Sequence, residues 1–130
     1  MATVYRCPSD NGAGGRVTTV ESGRAAEARA RALLEAAGLR FVAANVRYRF
    51  GELDLVMVEG HTLVFVEVRN RGSMRFGGAA ASIDGRKRQR LARAAERYLQ
   101  QAFGRHEPPP CRFDVIAIEG DTPHWIKAAF

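Results

Sequence analysis

The chain has 130 residues, 46% of them hydrophobic and 8% aromatic, enough for one hydrophobic core and short for two domains. No apolar run approaches the roughly 20 residues of a membrane helix, and Cys7 and Cys111 stand alone in sequence, which leaves neither a disulfide framework nor a zinc site and predicts free thiols. A net charge of +6, carried by eighteen Arg and two Lys, favours a polyanionic partner such as nucleic acid and matches a general bias toward arginine.

Residues 1–20 mix Gly, Ser, Asn and Thr without an apolar period and predict a flexible arm before a single domain over 21–130. Met1–Arg16 lacks the apolar core of a secretory signal, so cytoplasmic residence is the default expectation. From Ser22 the spacing of Ala26, Ala30, Leu33, Leu34 and Ala37 predicts an amphipathic helix that stops at Gly38. Segments Leu39–Arg49, Leu53–Val58 and Leu63–Arg69 are rich in Val, Leu and Phe and predict three strands.

Gly72–Gly78 reads as a loop. A second helix is predicted over Ile83–Phe103, with Leu91, Ala94, Ala95, Tyr98, Leu99 and Ala102 as its apolar stripe. Three prolines at 108–110 force an extended connection, and Arg112–Ile118 and His124–Lys127 close the domain around a turn at Glu119–Asp121. The order α-β-β-β-α-β-β is α/β, with a mixed central sheet flanked by helices.

The apolar strands carry acids, which are costly to bury alone. A two-residue turn at Gly60–His61 would pair Glu59 with Thr62, bring Asp54 opposite Glu67 and Glu52 opposite Arg69, and project all four from one face of the sheet. Like charges facing each other in a half-buried site stay ionised only with a cation between them. An all-oxygen carboxylate site suits Mg²⁺ better than zinc, with the cation between Asp54 and Glu67 and Glu52 in support. The plainer account pairs one acid with an arginine and points the other to solvent.

Glu27 borders the apolar stripe of the first helix and can reach this patch. Lys87 continues the stripe of the second helix near its start, where positive charge opposes the helix dipole and a neighbouring phosphate would account for it. Arg86, Arg90 and Arg93 on the same helix are candidates for nucleic-acid backbone contacts, although a solvated basic face has the same composition. The three histidines have no nucleophile at useful spacing, and no Walker or dinucleotide-binding glycine pattern occurs.

The stretches GRAAEARARALLEAAGL, RYRFGELDLV, LVFVEVRNR and RFDVIAI resemble the YraN family of small bacterial proteins, over about residues 23–130. The resemblance implies a restriction-endonuclease-like fold related to Holliday junction resolvases, with the PD-(D/E)xK motif. It implies catalytic roles for Glu27, Asp54, Glu67 and Arg69, with Asp54 and Glu67 as metal ligands. Arg69 stands where that motif has Lys, and arginine stabilises phosphate charge without serving as a base. Related resolvases act as dimers on branched DNA, so a homodimer is a candidate assembly. The expectation is a metal-dependent nuclease acting on DNA phosphodiester bonds. The alternatives are a catalytically weak nucleic-acid-binding module and a protein-interaction adaptor on the same fold.

Overall fold

A computed structural model of the chain describes residues 19–71 and 83–130. The elements are α1 (Thr19–Ala36), β1 (Arg40–Tyr48), β2 (Gly51–Glu59), β3 (Thr62–Arg71), α2 (Gly85–Phe103), β4 (Cys111–Glu119) and β5 (Thr122–Ile126). This is the expected α/β order, with boundaries shifted by at most three residues. Apart from Thr19 and Val20, which belong to α1, the predicted arm lies outside the described residues, as does the predicted 72–78 loop.

The sheet runs β1-β2-β3-β4-β5. Neighbours are antiparallel except β3 and β4, which are parallel and joined through α2, as a parallel pair requires a crossover. The β2–β3 turn is at Gly60–His61, and the register runs from Glu59↔Thr62 to Leu55↔Val66 as the turn predicts. Gly60 takes φ 61°, the left-handed region such a turn demands. The edges are β1, whose register shifts between Phe41 and Ala43, and β5, which contains Pro123.

Each helix covers one face. Ala26, Ala30 and Leu34 of α1 pack on Leu55, Met57, Val64, Val66, Ile116 and Ile118. Leu91, Ala94, Ala95 and Tyr98 of α2 pack on Leu53, Val56, Leu63, Phe65, Val115 and Ala117. α1 ends in a Schellman motif: Gly38 N–H donates to the Glu35 carbonyl, Leu39 N–H to the Leu34 carbonyl, and Leu39 and Leu34 are buried together. Asp84 caps α2 by accepting the Lys87 N–H at 2.9 Å. Among the described residues no helix is long and apolar enough to cross a membrane.

Two irregularities prepare the site. Asn45, in β1, has φ 53°, a conformation that asparagine tolerates better than branched residues do. It stands between the pairs Ala44↔Leu55 and Val46↔Leu53, alongside Asp54. Across Asp54 the alternation of faces breaks, since Leu53 joins the core under α2 and Leu55 the core under α1. Gly51, at the start of β2, lies so close to α2 that a Cβ there would come 2.7 Å from the Arg90 carbonyl oxygen.

Candidate metal and nucleic-acid site

The ladder between β2 and β3 ends at Leu55↔Val66, and the Asp54 side chain continues it: its Oδ2 accepts the Val68 N–H at 2.9 Å. The carboxylate thus lies just past the last pair of the ladder, hydrogen-bonded to Glu67 of β3. The predicted β-alternation failed here because the left-handed residue in β1 and the break at Asp54 re-aim the side chains.

Three carboxylates converge. Oxygens of Glu27 on α1, and of Glu52 and Asp54 on β2, lie within 4.8 Å of one another. Glu67, 5% exposed on β3, is hydrogen-bonded to Asp54 and binds Lys87 Nζ at 3.2 Å and Arg69 at 3.8 Å. Glu52 meets Arg47 Nε at 3.5 Å, its partner in the β1–β2 register; the expected Glu52–Arg69 opposition lies beyond the last β2–β3 pair.

Charge crowding is visible in the acidities. Burial pushes Asp54 up to about 9, with the Glu67 charge and hydrogen bond adding to it and the Val68 N–H opposing. Burial also raises Glu27, against a hydrogen bond from Asn45, while Glu52 and Glu67 add repulsion. An oxygen-only, half-buried donor set with crowded charge fits a hard divalent cation, Mg²⁺ or Mn²⁺, and not a thiolate- or imidazole-seeking one. Glu27, Glu52 and Asp54 are the residues that would hold it, and Glu67, expected as a ligand, stands beside Asp54 under Lys87.

The remaining sequence candidates spread along α2. Lys87 reaches the acids from the first turn, Arg90 lines a cavity beside them, Arg93 lies over the Phe50 ring at 4.5 Å, and Arg86 is exposed. Sequence reasoning missed Asn45 and Arg47. The signals were an asparagine inside an apolar strand and a tight β1–β2 turn at Arg49–Phe50 that brings Arg47 opposite Glu52.

A second acid site was also missed. Asp114, on β4 and fully buried, accepts Arg112 Nε at 2.9 Å and Nη2 at 3.1 Å, Trp125 Nε1 at 3.0 Å and the Ala128 N–H at 2.9 Å. Arg112 also reaches Glu59, which pairs with Lys127 at 3.6 Å. Here every acid has a cation.

The model of Uncharacterised protein family UPF0102 matches residues 26–118, which include every acid of both sites. The chain belongs to this family. UPF0102 relatives named UPF0102 protein YraN include those of Escherichia coli strain SMS-3-5 / SECEC and Shigella sonnei strain Ss046, each 49% identical over 130 residues. That of Escherichia coli strain K12 / DH10B is 48% identical. Each alignment covers 100% of this chain and 97% of the relative. The UPF0102 and YraN names carry no activity, so function is argued from the site.

Proposed function

We propose that the chain is a Mg²⁺- or Mn²⁺-dependent nuclease hydrolysing DNA phosphodiester bonds. The observation that carries this reading is the convergence of Glu27, Glu52 and Asp54 to within 4.8 Å in a cleft whose burial disfavours the charged form of Asp54. A divalent cation held by Glu27, Glu52 and Asp54 would neutralise the carboxylates and supply Lewis-acid polarisation of a phosphate.

The chain's own groups divide the remaining work. The Val68 N–H and Asn45 fix the Asp54 and Glu27 carboxylates, so the donor set is held before any ligand arrives. Lys87 and Arg69, both at Glu67, bring positive charge to the cleft and can stabilise the charge that develops on a phosphate there. Lys87 comes from a helix and not from the strand motif, a cation beside the acids in addition to Arg69.

A nucleic-acid-binding module of weak activity is the second reading, favoured by one observation: Lys87 and Arg69 already offset Glu67 internally. Cleavage of linear, flapped and four-way DNA with Mg²⁺ or Mn²⁺ separates the two. Under the nuclease reading wild type cleaves and Asp54→Ala does not. Equal activity of the two proteins removes the site assignment, and binding without cleavage by wild type leaves the module.

A further inference from the structure

Beside the carboxylates, and sharing Glu52 and Lys87 with them, is a cavity of about 400 Å³ between the β1–β2 turn and the start of α2. That is the size range of small-ligand sites. Its cations are Arg47, Arg49, Lys87 and Arg90, against the single acid Glu52. Two of the four are already engaged, Arg47 by Glu52 and Lys87 by Glu67. Among the described residues Arg49 and Arg90 have no carboxylate at ion-pair distance. They come from different elements, and the missing side chain at Gly51 lets the helix backbone settle against the turn that carries Arg49. Two guanidinium groups lining one concave site repel each other, Arg90 having only a longer-range attraction to Asp84, and an anion reverses the sign of that interaction. Arginine offers a planar fork of donors that fits phosphate oxygens in pairs.

We propose that this cavity is a phosphate subsite, in which Arg49 and Arg90 bind a phosphate of the nucleic-acid strand next to the one presented to the carboxylates. The subsite rests on the nuclease reading for its ligand, and deepens it by assigning which cations position the strand. Lys87, common to both places, marks the path between them. The phosphate belongs either to an internal phosphodiester or to a phosphorylated strand end.

The test is fluorescence anisotropy with labelled single-stranded oligonucleotides, one 5′-phosphorylated and one not, in EDTA so that hydrolysis plays no part. Arg49→Ala and Arg90→Ala are each expected to weaken binding about tenfold at low salt and to reduce the slope of log affinity against log salt by roughly 0.7. Arg105→Ala, at an exposed position after α2, is expected to bind as wild type does. Loss with both oligonucleotides assigns an internal phosphodiester, and loss confined to the phosphorylated one assigns a strand end. Wild-type affinity and slope in both cavity variants overturn the subsite alone, leaving the Asp54→Ala cleavage test standing. A wild type that binds neither oligonucleotide overturns the subsite, and the cleavage test then decides the nuclease reading separately.

Discussion

The two acid sites of the sheet are built in opposite ways. At Asp114 a fully buried carboxylate accepts four hydrogen bonds, and its cation Arg112 is shared with Glu59. At Asp54 the carboxylate accepts one backbone N–H and otherwise faces Glu67 and Glu27, which raise its pKa. A protein that wants only to fold satisfies its buried acids as Asp114 is satisfied. A buried carboxylate crowded by other acids, with a single backbone donor of its own, has the pattern of a site kept for a ligand.

The sharpest break in this comparison is expected from Asp114→Ala. Removing the carboxylate leaves Arg112 partly uncompensated and the Trp125 and Ala128 N–H groups without their acceptor. The expected cost is about 3–5 kcal/mol in urea denaturation. Asp54→Ala should cost less, since Asp54 accepts a single backbone N–H and its loss leaves no cation uncompensated. Comparable losses at the two positions would erase the contrast.

A smaller effect concerns the cations at the open site. Arg69→Ala and Lys87→Ala are each expected to lower cleavage by about 100-fold, while Arg69→Lys preserves or raises it, because positive charge near the phosphate is retained. Melting temperatures measured alongside decide the cause: a stable, inactive Arg69→Ala supports a role in the reaction. A destabilised but active one reduces Arg69 to a partner of Glu67.

The last contrast is in pH dependence. Asp54 titrates at about 9 in the fold against an ordinary 3.8, so the folded state binds the proton more tightly. Its contribution to stability is full below about pH 4 and fades as pH rises toward 9. Glu59 is lowered by its hydrogen bond to Arg112, so its contribution is present above the ordinary 4.5 and fades on acidification. Metal-free wild type should therefore lose melting temperature relative to Asp54→Asn between pH 5 and 9, and Mg²⁺ should recover most at the alkaline end. A constant difference across that range would mean that Asp54 is not held protonated.

Much of this was legible in the sequence. The Gly60–His61 turn fixed the β2–β3 register, and that register with the α1 stripe brought Glu27, Asp54 and Glu67 together. The faces were not legible past Leu55, because the left-handed Asn45 and the break at Asp54 are local backbone events with no periodic signature. Arg47 was hidden by reading the β1–β2 turn as continuous strand. Asp114 was hidden because a carboxylate inside RFDVIAI looks the same whether it serves chemistry or a lock. Its four donors come from Arg112, Trp125 and Ala128, and only the fold shows them converging.

The sheet's two edges also bear on how copies of the chain can meet. A strand added to β5 would face Pro123, which has no N–H to give, and one added to β1 would meet a register shift and then the reversed backbone at Asn45. Neither border offers a long even row of donors and acceptors, so the fold resists growing into a continuous intermolecular sheet.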